Sequence, residues 1–131
     1  MIDPANLPDE VRGFLTERHL ASLTLIDASG DPHVSAVGFT WDDDQQVARV
    51  ITFSEAKKSR LLVEHAPMRA VLCQIDGGRW LALHGTATVS ADPVVNADAE
   101  ARYGERYRPA GDRGADRRTI EVHVDRLVGR A

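Results

Sequence analysis

The chain has a single cysteine, Cys73, among 131 residues. One thiol cannot close an internal disulfide, so the fold must rest on packing and hydrogen bonding alone. Aromatic side chains are scarce at 5%, which leaves most of any core to aliphatic residues. No apolar run approaches the ~20 residues that a membrane-spanning helix requires. The opening segment MIDPANLPDE is acidic and has no apolar stretch, so no secretory leader is expected in it and a cytoplasmic setting is the default. A surplus of positive charge is missing too: 16 Lys and Arg stand against 20 Asp and Glu, a formal charge of −4. That balance excludes a general binder of nucleic acid or of an anionic membrane, which needs a basic footprint. The Walker loop, the G-x-G-x-x-G fingerprint and the G-x-S-x-G nucleophile elbow are absent. None of the 5 histidines stands in an H-x-x-x-H or cysteine-flanked array, so no metal site is expected.

What is present is a globular composition, 43% hydrophobic and 27% charged, sized for one domain over residues 1–131. A short helical pattern opens at Pro8-Asp9-Glu10, with acids in its first turn. From His19 the apolar period becomes two: Ala21, Leu23 and Leu25 alternate with Ser22 and Thr24 as far as a turn at Ala28-Ser29-Gly30-Asp31. A second strand runs from about Pro32 to Trp41, and Asp42-Asp43-Asp44 reads as a solvated turn. A third strand covers Val47 to Phe53, and the three together predict a meander. Helical spacing over Ser54 to His65, with Ser54 as N-cap, ends at Pro67. Strands resume at Ala70–Ile75 and, after the Asp76-Gly77-Gly78 turn, at Trp80–Val89. A helix over about Pro93–Tyr107, a mobile Arg108–Arg118 loop and a last strand, Thr119–Val128, complete the chain.

Six mostly antiparallel strands with three short helices predict a mainly β protein closed into a small barrel, because closure removes exposed edges. A doubly wound parallel sheet is excluded, since the first three strands have no helix between them.

The segment in which chemistry concentrates is Thr52-Phe53-Ser54-Glu55-Ala56-Lys57-Lys58-Ser59-Arg60. It places hydroxyls and three cations around a helix N-terminus, whose backbone N–H groups and dipole attract an anion such as phosphate. A solvated amphipathic helix has the same spacing, so the pattern alone leaves both readings open. Charge-assisted hydrogen bonds contribute about 1.5–3 kcal/mol each and micromolar affinity needs about 8, so a ligand anchored there would also need a buried ring or tail. Cys73 lies in an apolar strand and reads as a core thiol. His33 and Trp80 sit beside turns, at a pocket mouth or in rim packing. The arginines interleaved with tyrosines from Tyr103 to Arg118 suit the carboxylates of a small molecule.

Read in order, Gly30-Asp31-Pro32-His33-Val34-Ser35-Ala36-Val37, Thr52, Ser54–Arg60, Gly78-Arg79-Trp80-Leu81-Ala82-Leu83-His84-Gly85-Thr86-Ala87 and Ile120–Leu127 resemble the split β-barrel family of flavin and deazaflavin oxidoreductases, related to pyridoxamine-phosphate oxidase. Within it, Phe14–Leu20, Val37-Gly38-Phe39-Thr40 and Arg102–Arg108 are most similar to the coenzyme F420-dependent biliverdin reductases. The resemblance implies a six-stranded split β-barrel and a homodimer with cofactor sites at the subunit interface. It implies Thr52, Lys57, Lys58 and Arg60 on the cofactor phosphate, His33 and Ser35 along the ring system, and Arg79 and Trp80 reaching it from the partner subunit. Coenzyme F420 is the implied cofactor, with FMN as the alternative. Biliverdin or a similar tetrapyrrole is the implied hydride acceptor, with the arginine-rich loop on its propionates. A flavin- or haem-binding carrier without turnover is the reading from another class. Two departures stand out: Leu61 and Leu62 occupy positions where family members often carry Asn, and the C-terminal extension of true pyridoxamine-phosphate oxidases has no counterpart, so that activity is not expected.

Overall fold

The computed structural model describes all 131 residues. In chain order the elements are α1 (Asp9–Thr16), β1 (Ala21–Ile26), β2 (Pro32–Val37), β3 (Thr40–Asp42), β4 (Val47–Phe53), α2 (Lys57–His65), β5 (Met68–Asp76), β6 (Arg79–Ser90), α3 (Pro93–Arg106), a 3-10 turn (Gly114–Asp116) and β7 (Arg117–Arg130). No helix is long and apolar enough to cross a membrane. All strand pairs are antiparallel and form one sheet of order β2-β1-β5-β6-β7-β4-β3.

The two end strands of that sheet, β2 and β3, are consecutive in the chain and separated only by Gly38 and Phe39. Three Cα–Cα steps span about 11 Å at most. The opposite edges are therefore tied together covalently, and the sheet has to curl into a barrel closed by the chain itself. This is a split barrel, as the sequence predicts, but with seven strands instead of six.

The extra strand arises because the predicted Pro32–Trp41 strand breaks at Gly38-Phe39. There the backbone leaves the ladder for side-chain partners on α3. The Phe39 N–H donates to the Tyr107 hydroxyl at 3.0 Å, and Arg106 Nη1 donates to the Phe39 carbonyl at 2.6 Å. Both polar groups of Phe39 are thus satisfied without a neighbouring strand. A Cβ on Gly38 would stand 3.1 Å from the rings of Tyr103 and Tyr107, so any larger residue there would push the two rings back by a few tenths of an ångström. The predicted meander is corrected accordingly: β1–β2 and β3–β4 are separate hairpins at opposite ends of the strand order, and β4 pairs with β7.

The period-two alternation sends Leu23, Leu25, Leu72, Leu81, Leu83, Ile120, Val122 and Leu127 into one core, and α1 adds Val11, Phe14 and Leu15 to it. β6 and β7 shift register at Gly85, where a Cβ would lie 2.2 Å from the His123 carbonyl oxygen. The bulge therefore demands glycine.

Three local expectations change. Asp42 is not solvated: it is 4% exposed, accepts from Arg49 Nη1 at 2.8 Å, and has Arg102 at 3.4 Å. Burial opposes its charge, yet the hydrogen bonds from Arg49 and the Gln45 N–H hold its carboxyl below the usual range. Ser54 does not cap α2, which starts at Lys57 after Ala56; the Ser54 N–H instead donates to the Asp116 carbonyl at 2.9 Å and its hydroxyl to the Asp116 carboxylate. The last strand begins at Arg117, so Arg117 and Arg118 belong to β7 and not to a loop.

Candidate functional site

β4 delivers Ile51, Thr52 and Phe53 to one end of the barrel, and α2 follows after one turn and sets Lys58 beside them. The end of β2 (Ala36, Val37), Gly38, Tyr103 and a strap from Arg108 to Arg117 complete the walls of a cavity of about 530 Å³. Its lining includes four cations, Lys58, Arg108, Arg113 and Arg117, and no acid.

The state of those cations is unusual. Arg117 is 6% exposed; Nη1 donates to the Thr52 carbonyl at 3.3 Å and Nη2 to the Gly111 carbonyl, while Nε is buried with no hydrogen-bond partner. Its nearest carboxylate, Glu100, stands at 3.4 Å from that nitrogen. Lys58 is half-buried with no carboxylate within salt-bridge distance, and burial pushes its amine below the ordinary lysine range. A buried cation left short of partners costs free energy unless an anion joins it. The strap is fastened by the two Ser54–Asp116 bonds, by Arg117 on the Gly111 carbonyl, and by Arg113 stacked 4.3 Å over the Phe53 ring.

The candidate residues from the sequence divide among several places. Thr52 and Lys58 meet in this cavity. Lys57, although adjacent to Lys58, lines a separate hollow of about 290 Å³ with His33, Asp27 and Asp31. There, burial first and then the charges of Lys57 and Lys58 push the His33 imidazole below its ordinary value, so it is neutral at pH 7. Ser35 lines a third hollow of about 410 Å³ with Leu20, Val34, Cys73 and Ile75, and its hydroxyl is buried without a partner. Arg60 is exposed on α2 and lines none of these cavities. Arg79 and Trp80 open β6 and line none of the three, although Trp80 pairs across the sheet with Ile75 of the third hollow. Arg79 donates to both Glu17 oxygens at 2.9 and 2.8 Å and to Asp76, and lies 4.5 Å over the Phe14 ring; Trp80 is 38% exposed.

Glu17, His19 and Asp76 bring ligand atoms within 4.8 Å of one another, but Arg79 already engages both carboxylates. Sequence reasoning missed the roles of Gly38 and Tyr103 as cavity wall and of Arg117 as the buried cation. The only signal for the last was the arginine-rich composition of its segment.

The fold and this cavity together define a class: a split β-barrel with a cation-lined cavity between a strand end and a helix start. The chain belongs to the pyridoxamine 5'-phosphate oxidase family, whose profile matches residues 7–130. It is 46% identical over 126 residues to an F420H(2)-dependent biliverdin reductase from Mycobacterium tuberculosis (strain CDC 1551 / Oshkosh), covering 95% of this chain and 89% of that one. A solved F420 reductase superposes with a TM-score of 0.71 at 24% identity, covering 93% of this chain and 98% of the other. A conserved hypothetical protein from Mycobacterium tuberculosis superposes with a TM-score of 0.75 at 18% identity, covering 95% and 84%. Those two likenesses bear out the barrel expected from the sequence.

Proposed function

We propose that this protein is an oxidoreductase that transfers a hydride from reduced coenzyme F420 to biliverdin or a similar conjugated acceptor. The observation that carries the reading is the acid-free cavity beside Thr52, in which Lys58 has no carboxylate partner and the buried Arg117 Nε makes no hydrogen bond. The relative that shares 46% of its residues over nearly the whole chain supports the choice of cofactor and acceptor.

The residues fit a phosphorylated, polyanionic cofactor, because a neutral ligand would leave the Lys58 ammonium without a counter-charge, and the cavity carries four cations and no acid in its lining. Thr52, Lys58 and Arg117 hold the phosphate. Lys57 and Arg60, on the outer side of α2, add long-range attraction without contact. His33 and Ser35 lie along the ring system on the side of β2, a neutral imidazole and an unpartnered hydroxyl both available to ring heteroatoms. The bound cofactor supplies the hydride; the chain supplies position and field. No side chain is assigned as acid, and the proton that completes reduction comes from solvent.

The homodimer reading is supported by the outer face of β2-β1-β5-β6, which leaves Val34 60%, Ile75 64% and Trp80 38% exposed. A second copy on that face buries them and carries Arg79 and Trp80 toward the neighbouring site. The setting is cytoplasmic.

Separate titrations with F420 and FMN, followed by anaerobic mixing with reduced F420 and biliverdin, test the reading. Micromolar F420 binding and the appearance of bilirubin absorbance are expected. A clear preference for FMN, or F420 binding without bilirubin, overturns it.

A further inference from the structure

The 530 Å³ cavity does not end at the strap. A hollow of about 340 Å³, lined by Arg18, Leu20, Tyr103, Tyr107 and Arg108, shares Tyr103 and Arg108 with it, so the two adjoin. The lining of the outer part includes an aromatic pair, Tyr103 and Tyr107, stacked one on the other with ring centroids 4.9 Å apart and planes inclined by 33°. The pair is fixed from beneath by Gly38, and the Tyr107 hydroxyl is fixed by the Phe39 N–H and the His19 carbonyl.

The arginines around the two hollows divide by what they hold. Arg106 is spent on the carbonyls of Glu17 and Phe39 and on Gln74, and Arg118 on the carbonyls of Ala115 and Arg117. Arg18, Arg108 and Arg113 donate no hydrogen bond and have no carboxylate within salt-bridge distance. Arg108 stands at the junction of the two hollows, Arg18 at the outer end and Arg113 inside.

We propose that the outer hollow is the acceptor subsite: the free ring face of the stacked Tyr103–Tyr107 pair is the ledge that takes a planar conjugated molecule, while Arg108 and Arg18 take its carboxylates. The proposal rests on the reading above, in which the cofactor phosphate occupies the Thr52–Lys58–Arg117 end. It assigns the ledge to the acceptor because a flexible acidic cofactor tail has no flat ring to place on two tyrosines.

The test compares biliverdin with its dimethyl ester, first by absorbance titration without F420 and then by turnover. The variants are Arg108→Gln and Tyr103→Leu, with folding checked by circular dichroism. For Arg108→Gln, the biliverdin Kd and KM are expected to rise about tenfold, the size of one lost charge-assisted contact. The dimethyl ester should bind the wild type about as weakly as it binds this variant, and Tyr103→Leu should weaken both forms. An unchanged biliverdin Kd in Arg108→Gln overturns the subsite, as does a dimethyl ester that binds the wild type as tightly as biliverdin. If F420 fails to bind at all, the proposed function falls, while the biliverdin titration still decides the subsite.

Discussion

Replacing Lys58 with methionine tests the anion cavity through two effects of opposite sign. The lysine is half-buried with no acidic partner, and burial pushes its amine down, so without ligand its charge is a burden. Methionine has similar reach and carries no charge. The unliganded variant should therefore be as stable as the wild type or more so, a result seldom expected for a change in a functional site. F420 affinity should move the other way. A charge-assisted hydrogen bond to phosphate contributes about 1.5–3 kcal/mol, so the Kd should rise about 10- to 150-fold.

The pH dependence sharpens the test. Because the folded pKa lies below the unfolded one, the unfolded chain binds this proton more tightly. Stability then rises with pH from the depressed value up to the ordinary lysine range, and Lys58→Met removes that slope. Across the same window the wild type should lose F420 affinity as the ammonium deprotonates. Thermal melts with and without ligand, together with F420 titrations at low salt, read both effects. A variant that melts several degrees lower with an unchanged F420 Kd would refute the reasoning and make the lysine structural.

Three further perturbations address the frame of the site. Tyr107→Phe deletes the hydroxyl that accepts the Phe39 N–H at the break between β2 and β3; the orphaned donor should cost about 1–3 kcal/mol, read as a lower denaturant midpoint with an unchanged slope. Gly85→Ala forces a methyl to 2.2 Å from the backbone oxygen of His123, which has no flexible end to yield, so a loss of about 3 kcal/mol or more should show as insoluble or unfolded protein. Glu17→Gln addresses acid stability. The Arg79 and His19 hydrogen bonds lower the Glu17 carboxyl to about 2, so its contribution is complete above the ordinary glutamate range and vanishes as pH falls through about 2. The variant should flatten the acid limb of a stability–pH curve in that interval, and an unchanged limb would show the surface pair to be inert.

Much of the barrel was legible because its signal is local. Alternation at period two sorts Leu23 and Leu25 from Ser22 and Thr24 whatever the neighbouring strand is, and Asp76-Gly77-Gly78 turns the chain wherever the hairpin lies. Strand order is not a local property. Pro32–Trp41 keeps its alternation through Gly38-Phe39, and only contact with a helix tip more than 60 residues away explains why the ladder stops there. The same holds for Asp42, whose two aspartate neighbours suggest a wet turn until Arg49, one turn back along the paired strand, draws it inside.

The site divides along the same line. Thr52 and Lys58 were readable because a strand end and the helix after it are joined by the chain, so their side chains converge by covalent necessity. Lys57 has the same charge and adjoining position, but one residue along a helix is a rotation of about 100°, enough to send it to another hollow. The arginines make the point most sharply. Arg106, Arg108, Arg113, Arg117 and Arg118 are one composition in the sequence and several different states in the fold. Arg106 and Arg118 are consumed by backbone carbonyls, Arg117 is held but left with a bare buried nitrogen, and Arg108 and Arg113 donate to nothing. Each arginine's fate depends on which carbonyls the folded chain leaves near it, from as close as Arg117 beside Arg118 to as far as Glu17 beside Arg106. A basic segment therefore reads only as a store of charge, and the fold decides which of those charges remain free to meet a ligand.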